Sequence, residues 1–394
     1  MIEGSKTDAM TRKLRMGMIG GGPGAFIGEV HRKAARMDGQ VDIVGGAFDI
    51  DPAKSHEMGR ILNLDPKRVY DSYEKLIEGE LRLRAEERMD FVAVTTPNNW
   101  HYPIAKALLE AGFHVVCEKP MTMDVPEALA LKDVVKKTKK VFALLHNYTG
   151  YPMVKHARWM VKQGMLGKIQ KIVVEYPQDW LLKRLELEGQ MQATWRTDPK
   201  QAGAGGCLGD IGTHAENLAH YITGLYIDEL CADLTSFAKG RVLDDDVNVL
   251  LRYENGAKGV LHSSQISTGQ ENNLNIRVWG TEGAVQWWQE NPNYLSFFRQ
   301  GEPVQILRRG AGYLCDAAKR HTRIPSGHPE AFLEAFANIY QNAISTMRAA
   351  IAGNKATELE CDFPDVDDGL IGMQFIETVV ASNRSEKKWE KFHK

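Results

Sequence analysis

Two short runs of this chain hold side chains that could together take a proton from a substrate and steady the charge left behind. In His114-Val115-Val116-Cys117-Glu118-Lys119-Pro120 an apolar, strand-like run stops at an acid, a cation and a proline. In Asp210-Ile211-Gly212-Thr213-His214-Ala215-Glu216-Asn217, spacings of four and three put Asp210, His214 and Asn217 on one stripe of a helix. Histidine is the side chain whose ordinary proton affinity suits acid/base work near neutrality, and a neighbouring carboxylate can orient it. A lysine at the carboxyl end of a parallel strand sits where ligands of doubly wound sheets bind. Each has a plainer reading: Lys119 as a solvated rim residue paired with Glu118, Asp210 as a helix cap, His214 as a core histidine bonded to it. A metal would need a third donor, and nothing in the chain nominates one, so no metal is expected.

A further run could hold a dinucleotide. Gly20-Gly21-Gly22-Pro23-Gly24-Ala25-Phe26-Ile27-Gly28 follows one strand-like segment and leads into a helical Glu29 to Met37. Glycines at such a turn let a pyrophosphate approach backbone N–H groups at the helix N-terminus. Gly20 and Gly22 fit the first two places of Gly-x-Gly-x-x-Gly, and either Gly28 or Ala25 takes the third. Asp49, 21 positions after Gly28 at the end of the second strand, is placed to take the ribose hydroxyls of NAD and repel the 2′-phosphate of NADP, so NAD is favoured. Asp51 competes for that role, although its place before Pro52 suits a helix cap. The loop Thr96-Pro97-Asn98-Asn99-Trp100-His101 closes a later strand at the same rim and could touch the nicotinamide ribose. His101 is open between that role and a structural hydrogen bond.

These runs need elements to hold them. From Leu14 to about Asn147, apolar strand-like stretches alternate with amphipathic helical ones, the rhythm of a parallel sheet with helices on both faces. Strands are expected at Leu14 to Gly20, Val41 to Phe48, Arg68 to Tyr70, Met89 to Thr95, Phe113 to Cys117 and Val141 to Leu145. After Asn147 one helix, about Met153 to Gln163, gives way to long alternating strands with few helices, the mark of an antiparallel sheet. Asn255-Gly256 within Asp246 to Ser264 reads as a tight hairpin turn, and Thr281-Glu282-Gly283 as a second. Pro329 to about Ser382 returns to helical spacing. The fold class expected is therefore α/β: an N-terminal Rossmann doubly wound parallel sheet over 14–147, then an α+β domain with a large, mostly antiparallel sheet over 148–394, after a flexible tail over 1–13.

A chain of 394 residues is long enough for two cores. A formal net charge of -2 gives no reason to expect nucleic acid or an anionic membrane as partner. The five cysteines are scattered and contain no Cys-x-x-Cys, which fits a reducing compartment without a disulfide framework or zinc site. The first dozen residues carry no apolar export signal and no run approaches the ~20 residues of a membrane span, so a cytoplasmic protein is expected.

Taken together, the glycine-rich turn with Asp49, Thr96-Pro97-Asn98, Glu118-Lys119-Pro120 and Asp210 to His214 resemble the glucose-fructose oxidoreductase/inositol dehydrogenase (Gfo/Idh/MocA) family over nearly the whole chain. The resemblance implies an NAD(P)-dependent dehydrogenase acting on a secondary alcohol of a sugar, inositol or related polyol. It implies that Lys119 stands between nicotinamide ribose and substrate and steadies the alkoxide, that His214 is the acid/base, and that Asp210 holds a substrate hydroxyl or the imidazole. A homodimer or homotetramer formed through the C-terminal sheet is implied likewise. Many members carry arginines just after the sixth strand, where this chain reads His146-Asn147-Tyr148-Thr149-Gly150, which points to a neutral polyol or sugar. Tyr148, Trp195, Arg196 and Asn217 are the candidates for substrate packing and hydrogen bonding. The same family includes NAD-dependent glycosidases without net redox turnover and a non-catalytic sugar-responsive regulator; retention of Lys119, Asp210 and His214 argues against the second.

Overall fold

The computed structural model describes residues 12–392, so the tail expected over 1–13 lies, for residues 1–11, outside the described residues. The chain divides into two units. The first runs to Thr122 and takes in Pro126–Leu145 and Phe336–Gly369; the second takes Met123–Val125, His146–Ala335 and the chain from Leu370.

In the first unit the strands are β1 (Leu14–Gly20), β2 (Val41–Ala47), β3 (Phe91–Thr95), β4 (His114–Cys117) and β5 (Phe142–Leu144), in the order β2-β1-β3-β4-β5. All pairings are parallel. Every residue of β3, β4 and β5 is buried, the reason these strands read as unbroken apolar runs. Helices α1 (Phe26–Arg36), α2 (Pro52–Ile61), α3 (Tyr73–Arg82), α4 (His101–Glu110) and α5 (Val125–Thr138) follow in chain order. The strand order turns back between β1 and β3, where such sheets open a crevice. Register aligns Gly20 with Thr95 and Val94 with Cys117, so the loops that follow β1, β3 and β4 leave the sheet along one rim.

The short strand expected at Arg68 to Tyr70 does not form, and the sheet has five strands rather than six. Pro66–Arg68 is a 3-10 turn capped by Asp65, and Val69 makes one isolated parallel bridge to Gly46. The buried carboxylate of Glu80 collects Arg68, the Tyr70 hydroxyl and the Met89 N–H, so side chains rather than a ladder anchor this segment.

The second unit opens with α6 (Pro152–Lys162) and carries a sheet of nine strands: β6 (Ile169–Pro177), β7 (Ile227–Thr235), β8 (Asp246–Tyr253), β9 (Lys258–Ser264), β10 (Asn275–Gly280), β11 (Ala284–Trp288), β12 (Tyr294–Phe298), β13 (Gln305–Arg308) and β14 (Glu390–Lys391). Its order is β13-β12-β11-β10-β6-β9-β8-β7-β14, antiparallel except where β6 meets β9. Both expected hairpins are present, β8/β9 around Asn255-Gly256 and β10/β11 around Thr281 to Gly283. Trp287 is fully buried and its neighbour Trp288 is 37% exposed, as alternation along a strand requires. Helix α7 (Thr213–Thr223) lies in this unit, whereas α8 (Phe332–Ala352) and α9 (Val366–Arg384) each begin in one unit and end in the other. Among the described residues no helix is long and apolar enough to cross a membrane.

Candidate active site

The first unit supplies a cradle at the end of β1. Gly20 is left-handed, with φ of +82°, and a Cβ there would lie 2.7 Å from the Thr95 carbonyl oxygen. A Cβ on Gly22 would lie 2.9 Å from the Phe48 carbonyl oxygen and 3.0 Å from Asp49 Oδ2. The loop is therefore pressed against the ends of β2 and β3, a shape only glycine permits. Ala25 takes the N-cap of α1 and makes no side-chain cap hydrogen bond, so the positive end of the helix dipole, at Phe26 and Ile27, follows directly on the glycine loop. The third glycine of the fingerprint divides its work: Ala25 sits at the cap, while Gly28 backs against Gly21, where a Cβ would be 2.4 Å from Gly21 Cα.

The two acids after β2 have separate tasks. Asp51 caps α2 by accepting the Ala53 N–H at 2.9 Å. Asp49, half-buried at the strand end, accepts the Asp51 N–H at 3.0 Å and so keeps its carboxylate beside Gly22. On the next loop Asn98 is buried, and the buried Thr96 Oγ1 and Asn99 Oδ1 lack protein partners. Buried polar atoms are nearly always satisfied, so orphans at this rim fit a polar cofactor. The glycine cradle, the exposed helix end, Asp49 and these orphans together fit a dinucleotide.

His101 belongs to the scaffold of this rim. It is fully buried, with Nδ1 2.8 Å from the Pro120 carbonyl oxygen and Nε2 2.9 Å from that of Thr96. Burial chiefly lowers its proton affinity, against the pull of the two carbonyls. The ring thus ties the Thr96 loop to the residue after Lys119, and both nitrogens are turned into the protein.

Glu118 and Lys119 leave β4 in a defined setting. The Glu118 N–H donates to the Val94 carbonyl at 3.0 Å, and its own carboxylate accepts the Lys119 backbone N–H at 3.2 Å. The other carboxylate oxygen lies 2.8 Å from His31 Nε2. Burial alone would raise the Glu118 carboxyl, but the His31 hydrogen bond and the charge of Lys119 outweigh it and hold the group below the ordinary range.

The second unit centres on His214, on α7 and 7% exposed. Its ring meets Tyr148 edge to face at 4.8 Å and His146 at 5.2 Å, with the two histidine Nδ1 atoms 3.3 Å apart. The Tyr148 and Tyr176 hydroxyls are hydrogen-bonded to each other, and Tyr176 donates to Asn272 Oδ1 at 2.6 Å. Asn272 Nδ2 donates back to the Tyr148 hydroxyl at 3.3 Å, and Gln178 donates to Asn272 Oδ1 at 2.8 Å. Burial first, and Tyr148 beside it, push the Tyr176 phenol well above its usual range, so it stays protonated.

Asp210 lies just before α7 on a π-helical turn, Leu208–Gly212, of a kind often found at functional sites. Its carboxylate is 3.2 Å from Arg196 Nε and accepts Gln265 Nε2–H at 2.8 Å. Arg196 in turn covers the face of Trp195 at 4.2 Å. Asn217 is buried, with an Oδ1 that finds no protein partner.

The second unit therefore brings Tyr148 onto His214 and Arg196 onto Asp210. Sequence reasoning missed His146, Tyr176, Gln265 and Asn272 here, and His31 and Tyr340 in the first unit. His146 stood in the run noted for replacing arginines, and its position after β5 was the available signal. The others come from strands, helices and loops distant in sequence and left none.

A doubly wound unit with a phosphate cradle and an acid at its second strand, and an α+β unit with a buried histidine among hydroxyls and amides, define the class of dinucleotide-dependent oxidoreductases. The chain belongs to the Gfo/Idh/MocA family. Residues 14–146 match the model of the oxidoreductase family with an NAD-binding Rossmann fold, and 154–286 match the GFO/IDH/MocA C-terminal domain. It is 33% identical over the full length of both chains to the uncharacterised oxidoreductase YfiI of Bacillus subtilis (strain 168). Its fold matches an inositol dehydrogenase homolog of Azotobacter vinelandii complexed with NAD+, with TM-score 0.91 and 37% identity over 97% of this chain and 98% of that one. A structure from the same organism complexed with NADH and myo-inositol matches with TM-score 0.89 and 35% identity over 97% and 98%.

Proposed function

We propose that the protein is an NAD-dependent dehydrogenase of a secondary alcohol on an inositol, sugar or related polyol, with His214 as acid/base and Lys119 steadying the alkoxide. The observation that carries this is the setting of His214: a nearly buried imidazole packed on Tyr148 and meeting a second imidazole, His146, through Nδ1. The A. vinelandii homolog with NADH and myo-inositol supports the substrate class.

The cofactor would be held by Gly20, Gly22, Ala25, Phe26, Ile27 and Asp49, by Thr96, Pro97 and Asn98, and by Glu118 and Lys119. When bound, NAD supplies the hydride acceptor. His214 removes the hydroxyl proton, and the fixed positive charge of Lys119 favours the oxygen anion that forms. Asp210, oriented by Arg196 and Gln265, accepts a neighbouring hydroxyl, and the orphan Oδ1 of Asn217 accepts another. Tyr148, Trp195 and Arg196 shape the wall. Purified protein mixed with NAD+ and a panel of inositols and aldoses should generate NADH absorbance; silence across the panel with proven NAD+ binding contradicts the reading.

We also propose a homodimer or homotetramer formed through the nine-stranded sheet. Register sets Leu250, Val260, Val173, Arg277, Gln286 and Ser296 in one row across its open face. Trp279, Trp288 and Phe298 flank that row and are 37–38% exposed. Sedimentation velocity checks it, and a monomer contradicts it. A cytoplasmic location fits the five free thiols.

A further inference from the structure

Two acids just ahead of β8, Asp244 and Asp245, belong to no step of the proposed reaction, yet they hold the segment that carries Asp210. One Asp244 carboxylate oxygen accepts the Gly206 N–H and the other the Leu208 N–H, both at 2.7 Å. The Asp244 carbonyl accepts the Cys207 N–H between them at 2.9 Å. A single residue thus takes three successive N–H groups of the kind that a helix start leaves with no partner inside the helix. The approach is close: a Cβ on Gly206 would lie 2.4 Å from the Asp244 carbonyl oxygen. The π turn Leu208–Gly212, with Asp210 in its middle, follows at once.

The second acid fixes the corner and the group that meets Asp210. The Asp245 carboxylate is fully buried and accepts the Phe237 N–H at 2.8 Å, the Ala238 N–H at 3.0 Å and Arg241 Nη1–H at 2.9 Å. Its carbonyl accepts the Gln265 N–H at 2.9 Å. Register pairs Asp246 with Ser264, so Gln265 leaves β9 at the end of the hairpin where the chain enters β8. From there Gln265 Nε2–H reaches Asp210 Oδ2 at 2.8 Å, on the carboxylate whose other oxygen is 3.2 Å from Arg196 Nε. Two adjacent residues therefore set both the backbone that bears Asp210 and a partner of its side chain.

We propose that Asp244 is a positioning residue for Asp210: by holding the Gly206 and Leu208 N–H groups on its two oxygens, it sets the turn on which the Asp210 carboxylate meets Gln265, Arg196 and a substrate hydroxyl. A helix cap that only stabilises the chain acts in the same way whatever stands at position 210. One that works through Asp210 is coupled to that carboxylate, and a double-mutant cycle separates the two. The inference rests on the role given to Asp210 above, but part of its test needs no turnover.

The test compares the full chain with D244N, D210N and the double variant. An asparagine keeps one acceptor and turns its own N–H against the other backbone N–H, so D244N releases one end of the hold. The urea midpoint is read first. D210N should shift it in the parent, in either direction, and should leave it unchanged on the D244N background. Equal D210N shifts on both backgrounds overturn the proposal. Should D244N fail to fold, G206A forces the same close contact apart and is read in the same way. Where the protein oxidises a polyol, D244N should raise KM about tenfold, the worth of one charge-assisted hydrogen bond, with kcat kept within about twofold. On the D210N background D244N should leave KM where it is. The same rise on both backgrounds overturns the proposal, as does a fall in kcat with KM kept. If no polyol is oxidised, the reading of the reaction fails while the midpoints still decide this one.

Discussion

His146 and His214 meet Nδ1 to Nδ1 at 3.3 Å with their rings crossing at 87°. Two such nitrogens hold one hydrogen between them, so each ring sets the tautomer of the other. When His214 donates its Nδ1–H to His146, its Nε2 carries the lone pair a base requires, and the imidazolium formed on taking the substrate proton keeps that hydrogen bond and stands as the acid. Replacing His146 by phenylalanine removes this restraint and should lower kcat about tenfold, within the range of acid/base effects. NAD+ affinity, followed by fluorescence titration, should stay unchanged. A variant with full kcat shows that the pair is packing only.

Asp49 should set the choice of nucleotide. Its carboxylate is held beside Gly22 by the Asp51 N–H, in the place where a ribose 2′-hydroxyl is taken and a 2′-phosphate repelled. D49A should weaken NAD+ binding about tenfold, the worth of a charge-assisted hydrogen bond or slightly more, and should improve NADP+ binding. Equal loss for both nucleotides would place the acid in the scaffold.

Acid should destabilise the fold through its buried histidines. His114 is lowered from 6.5 to about 4, first by burial and then by the charge of Lys140, and its Nδ1 accepts the Val141 N–H at 2.8 Å. The unfolded chain takes up this proton near pH 6.5 and the folded one only near 4, so the unfolded state binds more protons within that window. Stability is complete above the window and falls as pH drops through it, by about 3 kcal/mol for this group. His156, lowered to about 4 by burial and then by Lys319, adds to the slope in the same direction. H114N offers an amide oxygen to the Val141 N–H and does not titrate, so urea midpoints between pH 7 and 4 should fall less steeply than in the parent.

The Arg309–Glu330 pair should be worth more than the surface pairs. Arg309 Nη1 and Glu330 Oε1 are 2.5 Å apart, with side chains 3% and 2% exposed, and the same oxygen accepts the Arg323 and Ile324 N–H groups. E330A leaves a buried guanidinium uncompensated and should cost about 3–5 kcal/mol in chemical denaturation. E78A removes the exposed pairs of Glu78 with Lys75 and Arg82 and should leave the denaturation midpoint at the parent value.

What the sequence made legible has a local physical cause. The Rossmann half is written in buried apolar strands, a glycine turn and an acid at a strand end, each legible within its own short stretch of chain. Asp51 before Pro52 announced its cap, and Asn255-Gly256 its hairpin. The Arg68 to Tyr70 segment looked like a strand because alternation alone does not show that Glu80 gathers its polar groups. Lys119 stands out in the sequence by its place at a strand end, and Asp210 and His214 by their spacing, but the side chains packed around them do not. Tyr340 reaches His31 across 309 positions, and Asn272 joins Tyr148 across 124, through tertiary packing that no local pattern encodes.

The central claim is that His214 moves the substrate proton, and its direct test is H214A. Steady-state NADH formation from the best polyol of the panel should fall by about 10²–10⁴, the usual worth of a positioned acid/base, while NAD+ affinity and the unfolding midpoint stay at parent values. H214A turning over at the parent rate, or losing NAD+ binding and stability along with turnover, contradicts the account and returns His214 to the core.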